Sequence, residues 1–299
     1  MPTLVRRQNK VELFLDSGAP SIYNAYVRKK KKASMGTHFE DRKHDDFSFY
    51  STAEYKRYRR GYINFILENQ QYLSIYINMD VINNPEMTYK NQKLMESFGL
   101  KPVPVYHAGC DVSWLKKYLD EGYDYIAIGG LTPNPLPQMI EIADKLWSDF
   151  LSFPNGMPRV KTHCFAMTSN EMLFRYPFFS VDSTSWVYYG RLGTVLIPRI
   201  ADSKFIYNKA PLKIVMTRRA ALTAKEEEHF DSLRTEFKRR HVMPYFESHG
   251  FTPEQLATDY LARDAINVVY FAELEKAIPE WPWPFKRAGG LAGRSIYGT

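Results

Sequence analysis

Short apolar runs alternate with segments of helical periodicity through most of the chain. Short apolar runs bounded by turn-forming residues are typical of buried strands. The clear runs are residues 11–15, 73–77, 103–106 and 125–128, and weaker ones follow at 160–164, 178–181 and 194–197. Between these runs, spaced apolar positions predict helices over residues 52–70, 85–98, 112–121, 135–150 and 169–174.

This alternation of strands and helices predicts an α/β fold with a parallel sheet and right-handed crossover connections. The number of successive units favours a (β/α)8 TIM-like barrel, regular or irregular, over an open doubly wound sheet. We expect residues 1–200 to form the main part of this barrel and to carry its catalytic residues. Residues 201–299 would complete the barrel or extend it with a hairpin and helices.

The pattern changes from about residue 198. Residues 200–216 predict a β-hairpin with KFIYN and LKIVM as its strands, and amphipathic helices are expected over residues 224–248 and 253–276. The start signals of the two helices are Thr223 with Glu226, which has the spacing of a capping box, and Thr252 with Pro253.

The composition is that of a soluble globular protein, with 44% hydrophobic and 24% charged residues in 299. No apolar run is long enough for a membrane span, and the first residues lack the apolar core of a secretory signal. The two cysteines, Cys110 and Cys164, exclude a disulfide framework and an all-cysteine zinc site. A reducing, cytoplasmic setting is therefore expected.

The positive charges are clustered, and the formal net charge is +7. The basic runs are RKKKK at 28–32, KRYRR at 56–60, the pair at 218–219 and KRRH at 238–241. Basic clusters interleaved with aromatic residues suit a polyanion with stackable bases, whereas any single cluster is equally typical of a solvated surface. Together the clusters favour nucleic acid as a partner.

Polar and flexible residues follow the predicted strands, at the edge of a barrel where active sites are found. They are Asp16 and Ser17 after the first run, Asp80 after the second, His107 after the third, Gly129, Gly130 and Leu131 after the fourth, and Asp182 after the run at 178–181. A single aspartate at a strand end is more often a turn former or helix cap. Convergence of three aspartates on one edge argues against a purely structural role for all of them, and it indicates an active site.

These residues lie in motifs that resemble the tRNA-guanine transglycosylase superfamily. LFLDSGAPS resembles its strand-one motif, IAIGGL its glycine-glycine-leucine loop, and FFSVDSTSW the segment with its second essential aspartate. The resemblance covers residues 11–200 in order and approximate spacing. Three segments, DSGAPS, HCFAMTS and YPFFSVDSTSW, are most similar to the DpdA-type 7-deazaguanine DNA transglycosylases of phages and bacteria.

The chain departs from the tRNA enzymes of that family in three ways. It has no late cysteine and histidine cluster for zinc, so the zinc subdomain that helps those enzymes bind RNA and dimerise is not expected. Ile82 stands where they have a cysteine, and His107 where they have a glutamine. The contacts around the base are therefore expected to differ, while the aspartates are retained.

The resemblance implies exchange of guanine in DNA for a 7-deazaguanine base (preQ0-like) through a covalent aspartate–sugar intermediate. It implies Asp182 as the nucleophile and Asp16 as the general acid and base. Asp80 would accept hydrogen bonds from the two donors on the guanine edge. The other substrate-binding residues implied are Ser17, His107, Gly129, Gly130 and Leu131. A structural histidine is an equally common role for His107.

A long loop is expected over residues 21–51, on the active-site edge. Its basic run could bind phosphates of the DNA: Arg28, Lys29, Lys30, Lys31 and Lys32. A solvated loop is the alternative. The His and Asp residues between positions 38 and 46 have no spacing of a metal site, so no metal and no cofactor are expected.

Three other functions stay open at this point. A zinc-less enzyme of the same chemistry could act on tRNA. A catalytically silent subunit could keep the barrel to bind nucleic acid, although retention of Asp16 and Asp182 argues against silence. A glycosylase or deoxyribosyltransferase would release free base without any deazapurine.

Overall fold

Parallel strands and helices alternate in the computed structural model, which describes residues 13–33, 47–132, 134–217 and 229–285. The fold is a mixed α/β fold with a four-stranded parallel sheet. The chain divides into two compact units. The first takes the residues up to Asn134 together with Val160–His163, and the second takes Pro135–Arg159 and the residues from Cys164 onward.

The elements of the first unit follow the predicted order closely. They are β1 (Phe14–Leu15), α1 (Ala19–Ala33), α2 (Ala53–Asn69), β2 (Ile75–Tyr76), α3 (Pro85–Ser97), β3 (Val105–His107), α4 (Ser113–Asp120) and β4 (Tyr125–Gly129). Strand β5 (Lys161–Cys164) spans the division between the units. The predicted helices at 52–70, 85–98 and 112–121 are confirmed. Each was predicted from the spacing of its own apolar residues, which is a local property of the sequence.

Strands of the first unit are neighbours in sequence order. β1 pairs parallel with β2, a parallel bridge joins Ile77 to Val103, and β3 pairs parallel with β4. The four-stranded sheet has the order β3-β4-β5-β6, again without reversal. Side chains of α2, β2 and α3 bury a core beneath these strands that includes Tyr55, Ile66 and Met95.

The loop expected over residues 21–51 is instead helical over Ala19–Ala33, so that prediction is wrong in its first part. Helix α1 forms because Ile22, Tyr23, Tyr26 and Val27 repeat with helical spacing and pack on the first-unit core. A 3-10 turn covers Phe47–Ser51, and residues 34–46 lie outside the described part of the chain.

The second unit begins with α5 (Leu136–Leu146), which continues as a π-helical turn, Trp147–Leu151. Its further elements are α6 (Asn170–Arg175), β6 (Ser180–Val181), α7 (Ser185–Arg191), β7 (Thr194–Ile197), β8 (Arg199–Ala201), β9 (Lys204–Ile206), β10 (Leu212–Val215), α8 (Thr235–Phe237), α9 (Met243–Ser248), α10 (Pro253–Thr258) and α11 (Tyr260–Ala277). A π-helical turn, Lys238–Val242, joins α8 to α9. The predicted helices at 135–150 and 169–174 are confirmed.

The hairpin expected within residues 200–216 is wrong in its pairing. Both strands exist, but β9 pairs antiparallel with β8, and β10 pairs antiparallel with β7. Strand β7 is fully buried and therefore needs a hydrogen-bonded neighbour, which β10 provides. The predicted boundary near residue 200 stays a prediction, and β7 and β10 on either side of it pair within the second unit.

The other edge of β7 is covered by a side chain from α11. Asn267 is fully buried; its Oδ1 accepts a hydrogen bond from the Leu196 N–H at 2.8 Å, and its Nδ2 donates to the Thr194 carbonyl at 3.1 Å. Alternate residues of an antiparallel strand face opposite edges. Asn267 therefore forms hydrogen bonds with the residues of β7 whose backbone groups face away from β10.

The two predicted C-terminal helices are shorter or broken. Residues 229–234 are a bridge and a 3-10 turn, so the described helix starts at Thr235; Thr223 and Glu226 lie outside the described residues. The second helix begins as expected, with a capping box between Thr252 and Gln255. It is interrupted at Asp259, whose carboxylate accepts the Leu261 N–H at 2.8 Å and starts α11.

Candidate active site

The carboxylate of Asp80 is buried and held at both oxygens. The Ser17 hydroxyl donates to Oδ1 at 3.0 Å, and His107 Nε2 donates to Oδ2 at 3.0 Å. Asp80 is 6% exposed, Ser17 is 1% exposed and His107 is 8% exposed. Two charge-assisted hydrogen bonds fix the orientation of a carboxylate that water scarcely reaches. The structure thus brings together three of the predicted substrate-binding residues.

Ser17 reaches Asp80 because the turn after β1 is tightly fixed. The Ser17 hydroxyl also accepts the Ala19 N–H at 3.2 Å, and the Tyr58 hydroxyl donates to the Ser17 carbonyl at 2.8 Å. Gly18 has φ +65°, and a Cβ there would lie 2.7 Å from the Tyr58 hydroxyl oxygen. The DSG turn therefore requires glycine both for its backbone conformation and for the approach of Tyr58.

Two tyrosines of α2 bind the ends of the first two strands. Besides Tyr58, Tyr62 donates to the Ile77 carbonyl at 2.7 Å. Burial raises the pKa of both phenols, and the negative charge of Asp16 raises it further. Both tyrosines therefore stay neutral hydrogen-bond donors. Sequence reasoning missed them, and only the helical spacing of four between them could have indicated a shared face.

Asp16 directly follows β1, as predicted, and its side chain is exposed. Its Oδ1 accepts the Ser17 N–H at 2.7 Å, a bond that also stabilises the turn. The carboxylate therefore has a structural role in the turn in addition to any chemical role.

His107 is the last residue of β3 rather than the first residue after it, and it stands opposite Gly129 in the parallel register. The Ala108 N–H donates to the Gly129 carbonyl at 2.8 Å. This pairing places the glycine loop beside the histidine that binds Asp80. The binding of His107 to a base carbonyl stays a prediction, because in the structure its Nε2 atom contacts Asp80.

The glycine loop is shaped by its own backbone contacts. Gly130 has φ +79°, and a Cβ there would lie 2.9 Å from the Ala108 carbonyl oxygen. Asn134 Nδ2 donates to the carbonyls of Gly130 and Leu131, each at 3.0 Å. The requirement for glycine at position 130 thus has a structural reason that is independent of a bound base. Sequence reasoning missed Asn134, although asparagine is a common turn former.

In the second unit, Asp182 directly follows β6, as predicted, and is exposed. Its Oδ1 accepts the main-chain N–H of Ala166 at 2.7 Å. Ala166 has φ +56°, a left-handed conformation that costs free energy in a residue with a Cβ. Backbone strain of this kind is found where a local geometry is functionally required.

Hydroxyl groups lie next to Asp182. The Ser183 hydroxyl donates to the Ser185 hydroxyl at 2.8 Å and accepts the Ser185 N–H at 3.0 Å. The thiol of Cys164, at the end of β5, is fully buried; burial raises its pKa, and the charge of Asp182 adds to this effect. The raised pKa favours the protonated thiol form of Cys164.

The approach of Asp16 to Asp182 stays a prediction, since they belong to different units. Of the predicted phosphate-binding run, Arg28 and Lys29 lie exposed on α1, and Lys29 pairs with Glu54 at 2.6 Å. The side chains of Lys30, Lys31 and Lys32 lie outside the described part.

No cluster of three or more His, Cys, Asp or Glu side chains suited to a metal ion is found among the described residues. Within the same residues, no helix combines the length and the apolar character that a membrane span requires. Comparison of the chain with protein-family models, with curated proteins and with solved structures finds no match.

Proposed function

We propose that this chain is a transglycosylase that exchanges guanine in DNA for a 7-deazaguanine base. The observation that supports this most is the buried Asp80 carboxylate, fixed by Ser17 and His107 beside the glycine loop. A fixed carboxylate with unused lone pairs is suited to two adjacent donors, and guanine and 7-deazaguanine present an N1–H and an exocyclic amine on one edge. The transglycosylase-like motifs around Asp16 and Asp182 supply the remainder of the proposal.

In the proposed reaction, a carboxylate oxygen of Asp182 forms a bond to C1′ as the bond from C1′ to N9 of guanine breaks. Asp16 protonates the leaving guanine. A 7-deazaguanine then takes its place; Asp16 accepts the proton from its N9, which attacks C1′ and releases the ester of Asp182. The two displacements retain the configuration at C1′, as in retaining glycosidases.

The fold that best serves this chemistry is a (β/α)8 barrel with the strand ends at one edge. Its support is the parallel strand order without reversal, and the position of Asp16, Asp80 and Asp182 after strands β1, β2 and β6. The antiparallel pairing of β7 with β10 makes such a barrel irregular.

A guanine inside a duplex is out of reach, so the target nucleotide must be flipped out or lie in a single strand. In the proposal, the base enters beside Asp80 and the glycine loop. Because His107 Nε2 donates to Asp80, the Nδ1 atom of a neutral imidazole can only accept a hydrogen bond. Contact of His107 with the base carbonyl would therefore require the imidazolium form, which Asp80 would neutralise.

The test is incubation of the full chain with isotopically labelled preQ0 and with duplex DNA, single-stranded DNA or tRNA. Digestion to nucleosides and mass analysis should detect the labelled deoxynucleoside and an equal amount of released guanine. Asp182→Ala should abolish exchange, while Asp16→Ala should lower the rate by about 10²–10⁴. Asp120→Ala, an exposed carboxylate at the end of α4, is the matched control.

Each other outcome identifies a different protein. Incorporation of the label into tRNA alone would identify RNA, instead of DNA, as the substrate. Abasic sites without added preQ0 would indicate a glycosylase. Undiminished exchange by Asp182→Ala would overturn the assignment of the nucleophile, and absence of reaction together with DNA binding would favour a silent binding subunit.

A further inference from the structure

The first half of α2 carries a basic face. Lys56, Arg57 and Arg60 are exposed, and at about 100° per residue they lie within an arc of about 100° on the helix. The buried residues of α2 lie on the opposite side: Tyr55, Tyr62, Ile63 and Ile66. The helix therefore places three residues of the basic run at 56–60 on one solvent-facing surface. We call this surface the α2 basic face (Lys56, Arg57 and Arg60).

Among the described residues, the side chains of the α2 basic face form no ion pair or hydrogen bond. Arg59, on a different side of α2, differs from them because its guanidinium donates to Asn91 Oδ1 at 2.9 Å. The neighbouring acid, Glu54, is occupied by Lys29 of α1 at 2.6 Å. Within the part of the chain that the structure describes, no acidic side chain balances the positive charge of the face.

The α2 basic face does not stabilise its own helix. Lys56 and Arg60 are four residues apart, and Arg57 and Arg60 three apart, so each pair brings like charges together. Cations in the first turns of a helix are also unfavourable to the helix dipole. Three like charges that have no partner among the described residues are suited to an external anion.

The α2 basic face and the candidate site of the first unit lie on different sides of the same helix. Tyr58 and Tyr62, which alternate with the basic residues, bind the Ser17 and Ile77 carbonyls. These hydrogen bonds fix the first half of α2 at the carboxyl ends of β1 and β2. At about 100° per residue, these tyrosines lie about 100–160° around α2 from the basic residues. A nucleic acid that contacts the face would therefore run along the outer side of this fixed helix.

We propose that the α2 basic face binds backbone phosphates of the DNA on the outer side of α2. The inference rests on the proposed function for the identity of the polyanion. Arginine and lysine side chains on an exposed helical face suit phosphate, and the guanidinium groups can bind two phosphate oxygens at once. It extends the phosphate-binding surface beyond the run that begins at Arg28.

The test is a triple variant, Lys56→Gln with Arg57→Gln and Arg60→Gln, in the full chain. The control triple, Lys90→Gln with Lys101→Gln and Lys116→Gln, removes the same charge from exposed sites of the first unit. Binding of a fluorescent 20-nucleotide DNA is measured over a range of salt. We expect the α2 triple to flatten the slope of log K against log salt by about 2–3 and to weaken binding at least about tenfold at 0.1 M salt.

A gain-of-function variant makes the test sharper. Glu54→Gln removes an acid of α2 and releases Lys29, so DNA binding should strengthen severalfold with a steeper salt slope. The thermal midpoint of the α2 triple should equal or exceed that of the wild type, because repulsion is relieved. A fall of several degrees would instead assign the face a structural role and overturn the proposal.

Failure of this inference and failure of the proposed function are distinguishable. DNA binding that is equal in the α2 and control triples would overturn the inference even if base exchange proceeds. Loss of binding to DNA in the α2 triple would support it even if no base is exchanged. A loss confined to tRNA, measured with the same variants, would overturn DNA as the partner.

Discussion

The main-chain N–H of Ala166 donates a 2.7 Å hydrogen bond to Asp182 Oδ1, and Ala166 adopts a left-handed conformation to do so. A strained residue at the end of β5 thus orients a carboxylate at the end of β6.

Substitutions at Ala166 should separate backbone strain from packing, because its side chain is exposed. Ala166→Gly relieves the left-handed strain and keeps the N–H, so the free energy of unfolding should change by no more than about 1 kcal/mol. Ala166→Val places a β-branched residue in that conformation and should destabilise by about 1–3 kcal/mol. Urea denaturation measures both. Equal stability of the two variants would show that the conformation of Ala166 is not maintained in solution.

Removal of either donor to Asp80 should be costly because the carboxylate is buried. We expect Ser17→Ala to lower the free energy of unfolding by about 1 kcal/mol and His107→Leu by about 1–3 kcal/mol. The control is Ser97→Ala, an exposed serine that donates to the Leu94 carbonyl. In the exchange assay, both test variants should raise KM for preQ0 more than they lower kcat. An unchanged KM would argue against Asp80 as the group that binds the base.

Gly130→Ala tests whether the glycine loop is fixed by the protein itself. The added Cβ would meet the Ala108 carbonyl at 2.9 Å in addition to the penalty of positive φ. Gly99→Ala is the matched control, since Gly99 has φ +77° and no atom within 4 Å of the added Cβ. We expect about 1 kcal/mol of destabilisation for Gly99→Ala and at least about 1 kcal/mol more for Gly130→Ala. Equal costs would mean that the loop relaxes away from Ala108.

Neither cysteine should react readily in the folded protein. Burial raises the pKa of the Cys164 thiol, which Asp182 raises further, and burial also raises the pKa of Cys110. A raised pKa lowers the thiolate fraction at any pH below it, and the thiolate is the reactive form. Iodoacetamide at pH 8 should therefore modify Cys164 only after denaturation and Cys110 slowly, as followed by intact mass. Fast alkylation of Cys164 in the native protein would contradict the structure.

The elements that local pattern determines could be predicted from the sequence. Helices α2, α3 and α4 have apolar positions at helical spacing, and the aspartates after β1 and β6 stand where the motifs indicated. Helix α1 was missed because its basic end, from Arg28 onward, has the composition of a solvated loop. Its apolar positions between Ile22 and Val27 carry the helical signal.

Contacts between distant residues could not be predicted in the same way. The partner of β10 depends on which strand lacks a neighbour, and that is a property of the folded unit. The bond between His107 and Asp80 joins the end of β3 to the loop after β2, and the hydroxyl of Tyr58 reaches Ser17 from a separate helix. Residue type gives no information about such hydrogen bonds until the strands are in register.

The side chain of Asn267 has a consequence for how the folded chain behaves at high concentration. An open strand edge can recruit a strand from another molecule, which is a route to aggregation. By occupying the N–H of Leu196 and the carbonyl of Thr194, one amide from α11 closes that route at β7. A leucine in its place would keep the core apolar but would leave this N–H and this carbonyl without their bonds to residue 267.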